Sequence, residues 1–144
     1  MTNSTTVRGG VFGVALAWVL TSLVFVVGNM GAPIRVVTGW APDGADLRVI
    51  EYVLTAAIAV ALGAALLWAM ERRGRDRLRA WTAIVALVAG GSTLPLWGLD
   101  VDRGSKWCLT LMHLLTGAAA VAGQRLARNR PTVRSQDSAA ASAS

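Results

Sequence analysis

Charge is scarce in this 144-residue chain, and unevenly so. Asp, Glu, Lys and Arg make up 15% of residues against 54% hydrophobic, whereas a soluble globular domain carries about 25% charged residues. Four windows hold no charged residue at all: 9–34, 52–70, 80–99 and 107–124. Cysteine is limited to Cys108, which excludes an internal disulfide and thiol–disulfide relay chemistry. His113 is the single histidine, and no His, Cys or carboxylate cluster has metal-ligand spacing, so no metal centre is expected. Neither G-x-x-x-x-G-K-[ST] nor G-x-G-x-x-G occurs, and no cofactor is implied. No carboxylate lies deep inside an uncharged window, which weighs against proton-coupled export. Lysine is almost missing, with one against thirteen arginines in an Ala-, Gly- and Val-rich chain. That is the coding bias of a GC-rich bacterial genome.

What is present is apolar and long. Each uncharged window supplies roughly the 17 to 25 residues that cross a hydrocarbon core about 30 Å thick, and the mean hydropathy is +0.52. The expected architecture is all-α, an antiparallel four-helix transmembrane bundle. Its spans fall at about 11–27, 49–70, 81–99 and 107–124. A polar lead, 1–10, precedes them, and a basic then disordered tail, 125–144, follows. The first span is not read as a cleaved signal peptide, because "GNMGAP" offers no small-x-small cleavage site.

The net charge of +6 and the isoelectric point near 11.3 are placed by topology. Five arginines crowd "ERRGRDRLRA" and four follow in "QRLARNRPTVRSQD". The other two connections balance Arg35, Arg48, Arg103 and Lys106 against acids. Cytoplasmic loops carry the excess of Lys and Arg, which puts both termini inside a plasma membrane and leaves no need for a nucleic-acid partner. The bilayer is the expected partner.

Tryptophan and proline mark the ends of the spans. Trp68, Trp81, Trp97 and Trp107 fall at expected interfaces, and Trp40 is a further interface candidate. The stretch "GWAPDGAD" reads as turns. Pro95 kinks the third helix and frees carbonyls that Ser92 and Thr93 hydroxyls can satisfy. Small pairs at Ala59/Gly63, Ala86/Gly90 and Ala119/Gly123 permit close helix approach and read as packing, not as a specific dimer signal; a homo-oligomer stays open.

The polar residues within the spans gather toward the outer side. His113 shares a helix face with Thr110. Ser92 and Thr93 lie at similar depth, with Glu51 and Thr55 on the outer turns of the second helix. Asn29 follows the first helix, and Arg35 reaches the mouth with Asp100 and Asp102. Polar groups in spans usually face the bundle interior or a water-filled cavity. Asn29, Arg35, Glu51, Thr55, Ser92, Thr93, Thr110 and His113 are therefore the ligand-binding candidates, forming a shallow pocket with His113 at its floor and Glu51 at its rim. The bland alternative is that His113 makes one structural hydrogen bond and Glu51 stabilises a helix N-terminus.

The second half, "LLWAMERRGRDRLRAWTAIVALVAGGSTLPL…LTLMHLLTGAAAVAGQRLARN", resembles a family of small actinobacterial four-helix membrane proteins of unknown function. Trp81, Ser92, Pro95, Met112 and His113 carry the likeness. It supports the topology and implies no activity. Three functions remain: a module binding an amphipathic or lipid-like small molecule or a partner helix, a membrane enzyme and a transporter subunit. The enzyme would be an acid-catalysed cyclase or isomerase of a hydrophobic substrate such as a terpenoid or polyketide. Glu51 or His113 would be its proton donor, with Trp18 against cationic intermediates.

Overall fold

A computed structural model describes residues 3–31, 33–38, 41–46, 48–73 and 77–129. The order is α1 (Asn3–Asn29), β1 (Arg35–Thr38), β2 (Ala41–Asp46), α2 (Val49–Glu71), α3 (Leu78–Gly91), α4 (Leu94–Trp97) and α5 (Arg103–Asn129). The protein is helical apart from one two-stranded antiparallel hairpin, in which Arg35 faces Asp46 and Val36 faces Ala45. Part of the stretch expected as turns is therefore strand. Strand pairing depends on a partner across the hairpin, which local turn signals do not reveal. The interface reading of Trp40 and the expected disorder beyond residue 130 lie outside the described residues.

Each hydrophobic segment is helical, with bounds that differ from those expected. Helix α1 starts at Asn3, well before the expected 11, because the polar lead has tertiary partners. The Thr6 hydroxyl donates to Glu71 Oε2 at 2.7 Å, and the buried Gln124 amide donates to the Thr6 carbonyl at 3.0 Å. Helix α5 begins at Arg103 because Asp102 caps it. The third segment breaks after Gly91, where Ser92 Oγ donates to the Ala89 carbonyl at 2.9 Å and Thr93 Oγ1 to the Gly90 carbonyl at 2.6 Å. These are not the carbonyls near Gly91 and Ser92 that a Pro95 kink is expected to free: the Gly90 carbonyl also accepts the Thr93 amide, and Pro95 sits in the first turn of α4.

Glycine decides where the helices touch. A Cβ at Gly123 would stand 2.5 Å from the Gly13 nitrogen and 2.5 Å from the Gly9 carbonyl oxygen, so α5 lies directly on the backbone of α1. Farther along, Gly28 of α1 meets Cys108 of α5. Contacts thus run from 9 against 124 to 28 against 108, and the two helices point in opposite directions. The same holds for α1 and α2, which meet through Thr6 with Glu71 and Ser22 with Tyr52. Phe25 stacks on Tyr52 at 4.9 Å.

Trp81 is fully buried in a core with Ala17, Val60, Leu67, Ala119 and Ala120, and its indole N–H donates to the Gly63 carbonyl at 2.7 Å. This corrects its reading as an interface residue. Helix α3 starts at Leu78, three positions before the expected start, which carries Trp81 past the helix end and turns it inward. A second core joins Ile34, Leu109 and Met112 at the hairpin end.

Three helical segments, Thr5–Asn29, Ile50–Glu71 and Leu78–Trp97, are long and apolar enough to cross a membrane. Their outer surfaces present Val11, Leu23, Leu54, Leu62, Leu87 and Leu94. Helix α5 falls short by composition and is the most enclosed. Lys106, His113 and Gln124 interrupt it, and Gln124 is 1% exposed. It lies along α1 for about 20 residues, roughly 30 Å at the helical rise.

Candidate functional site

A cleft of about 240 Å³ opens at the hairpin end, lined by Gly28, Gly31, Ile34, Asp102, Gly104, Ser105 and Cys108. It is built from residues other than the eight sequence candidates. The end of α1 supplies one wall and the start of α5 the other. Asp102 is the N-cap of α5: its Oδ2 accepts the Ser105 amide at 2.8 Å, and its Oδ1 accepts the Ser105 hydroxyl at 2.6 Å. This is the capping chemistry that Asp before a helix favours. Ser105 Oγ in turn accepts the Arg35 amide at 2.9 Å, so the cap also moors the hairpin. On the other wall, Asn29 Oδ1 accepts the Ile34 amide at 3.2 Å while its Nδ2 donates to the Phe25 carbonyl. Ile34 is thereby pushed into the second core and forms the apolar floor of the cleft.

Small residues keep the cleft open. A Cβ on Gly28 would come within 2.7 Å of Cys108 Sγ, and one on Gly31 would meet nothing within 4 Å. The Asp102 carboxyl is exposed and held below the ordinary aspartate value, first by the Ser105 hydroxyl and then by the Ser105 amide. Because its folded value is lowered, it contributes stability that is present at neutral pH. That contribution begins to fade as the pH drops past the ordinary value of 3.8 and is gone below the folded one. A melting temperature measured from pH 6 to pH 2 is expected to fall more steeply in wild type than in D102N through this acid window. Identical slopes would mean the cap does not titrate with folding.

The eight sequence candidates do not converge. None of them lines the cleft. Glu51 is exposed and accepts the Arg48 amide at 3.2 Å, closing the first turn of its own helix. Thr55 Oγ1 donates back to the Glu51 carbonyl at 2.7 Å. Ser92 and Thr93 are spent on α3 carbonyls, as described above. His113 Nδ1 lies 2.8 Å from the Leu109 carbonyl, which puts a proton on Nδ1, while Nε2 makes no hydrogen bond among the described residues. Thr110 is buried, and its hydroxyl has no partner among the described residues. Asn29 and Arg35 do border the cleft, but as the residues that moor the loop. Trp18, offered to cationic intermediates, is 57% exposed on the outer face of α1. Asp102, placed at the mouth from sequence, is the one acid that reaches the cavity.

A second polar centre, absent from the sequence reading, lies at the opposite end. Arg128 pairs with Glu71 Oε1, Thr6 holds Oε2 of the same carboxylate, and Gln124 ties Thr6 to α5. Four side chains thus lock the ends of α1, α2 and α5 together. Gly9-x-x-x-Gly13 was the available signal, since it marks a close helix approach beginning inside the supposed lead.

Among the described residues no group of three or more His, Cys, Asp or Glu could hold a metal ion. The cleft pairs one carboxylate with one thiol and holds no base beside that thiol. Its lining sets the Asp102 carboxylate at the rim over the apolar side chain of Ile34.

A family profile matches residues 2–130, from the start of α1 to the end of α5, and is described as a family of unknown function, DUF6069. The chain belongs to that family. Membership in DUF6069 agrees with the likeness read from Trp81, Ser92, Pro95, Met112 and His113, and extends it from half the chain to every described element. No curated protein and no solved structure matches this DUF6069 member. Its apolar helices and its family make it a membrane protein of unknown activity.

Proposed function

We propose that the protein is a plasma-membrane binding module that takes a small amphipathic molecule with a cationic head into the hairpin-end cleft. The observation carrying this reading is the pairing in one cavity of the ionised, exposed Asp102 with the apolar floor of Ile34 and Cys108. A mostly apolar concavity with a few placed polar groups is the usual form of a ligand site. The head would meet the free lone pairs of Asp102, and the chain would lie between Gly28 and Gly31. Acid catalysis draws no comparable support, because Glu51 is an exposed helix-capping residue. The arginine excess at the other end supports placing the termini and the α2–α3 connection in the cytoplasm, with the cleft outside. Helix α5 then spans with α1, along which it packs.

Cys108, the single cysteine, makes the test direct. In nanodiscs, dodecylamine is expected to protect Cys108 from maleimide about tenfold better than dodecanol, as a charge-assisted hydrogen bond requires. D102N should abolish the difference while keeping the fold, because Asn also caps helices well. Equal protection by amine and alcohol, or a preference surviving D102N, would overturn the proposal.

A further inference from the structure

The two ends of the protein carry different charge. At the hairpin end, Arg35, Arg48, Arg103 and Lys106 stand against Asp46, Glu51, Asp100 and Asp102. At the other end, Arg8, Arg72, Arg73, Arg77, Arg79 and Arg125 are all exposed. The one acid among the described residues there, Glu71, is taken by Arg128 and Thr6. Among the described residues, six guanidinium groups on this surface therefore have no carboxylate to balance them, and the α2–α3 connection adds Arg75 with a single further acid, Asp76.

Their depth says what balances them. The exposed apolar surface of α2 includes Leu62 and Leu66. Arg72 and Arg73 follow directly on Ile50–Glu71, a segment long and apolar enough to cross a membrane, which sets them at the boundary of that span. The Arg72 guanidinium lies 3.6 Å over the Trp68 ring, a cation–π contact that holds the charge at this boundary. The planar guanidinium fork adds bidentate matching to phosphate oxygens.

We infer that the arginine end is a binding surface for anionic phospholipid headgroups of the leaflet it faces, with Arg72, Arg73, Arg77 and Arg79 as its centre. Basic side chains beside a membrane span attract anionic lipid, and the attraction weakens with ionic strength. This surface lies at the opposite end of the helices from the amine cleft and does not depend on it.

Spin-labelled phosphatidylglycerol and phosphatidylcholine, compared in protein-containing phosphatidylcholine bilayers, test the inference. The anionic lipid is expected to associate with the protein about fivefold more strongly or better, and 0.5 M NaCl is expected to erase most of that preference. The variant R72Q/R73Q/R77Q/R79Q should bring it below about twofold. Should that variant fail to fold, R72Q/R73Q, which alters two exposed side chains only, is expected to lower the preference by at least about half. Equal association of the two lipids with wild type, or a preference unchanged in a folded variant, would overturn it.

Discussion

Replacing Gly123 with alanine is expected to destabilise the protein by about 3 kcal/mol, the upper part of the usual range for overpacking, and G123L to prevent α5 from docking. The new methyl would fall 2.5 Å from both the Gly13 nitrogen and the Gly9 carbonyl oxygen. These are main-chain atoms of a helix, so no rotamer change relieves the overlap and the two helices must separate. Alanine's better helix propensity returns about 1 kcal/mol at most, too little to compensate. Gly90 is the matched control. It also closes a small-xxx-small pair, but a Cβ there meets nothing within 4 Å, so G90A should be neutral or more stable by up to about 1 kcal/mol. Unfolding in mixed detergent micelles compares the two. If G123A and G90A behave alike, the crossing of α1 on α5 is not as close as described.

The second large effect is expected at the opposite end of the same helices. Truncating Arg128 in R128M leaves the Glu71 carboxylate, 20% exposed, with the Thr6 hydroxyl and no opposing charge. Removing one partner of a buried ion pair costs about 3–5 kcal/mol. Partial exposure lowers the expectation here to about 2–3 kcal/mol. Adding E71Q should return most of the loss, since the amide oxygen still accepts from Thr6 and no charge remains to be desolvated. A double-mutant cycle in the same micelles measures this. A cost for R128M within about 0.5 kcal/mol of zero would put the pair among ordinary surface ion pairs.

The helices were legible because membrane insertion depends on local composition: an uncharged run of sufficient length reports itself. What stayed hidden depends on contacts between distant residues. Thr6 and Gly9 look like a polar lead until α5 is placed against them. Trp81 looks like an interface marker because its turn of α3 opens beside arginines, and only the Gly63 carbonyl shows that it points inward. The site suffered most from one ambiguity. Ser92, Thr93, Thr55 and His113 each lie three or four residues after a carbonyl of their own helix, and the three hydroxyls and the His113 Nδ1 are spent there. Sequence spacing alone cannot separate that from convergence on a shared pocket. The cap at Asp102 was readable, as an Asp three residues before Ser105 at the head of an apolar run. Its bond through Ser105 to the Arg35 amide was not, because those residues are seventy positions apart.

The central place of α5 has a consequence for how the protein is made. Synthesis proceeds from the N-terminus, so α1, α2 and α3 leave the ribosome before the helix that joins them. For that interval each must persist in the bilayer on its own partition free energy. These are the three helices that are individually apolar enough to do so. Helix α5 arrives with its neighbours already in place, and so can carry a lysine, a histidine and a buried glutamine into the assembly. The Gln124 amide that ties α5 to Thr6 is thus made after its partner is already in place.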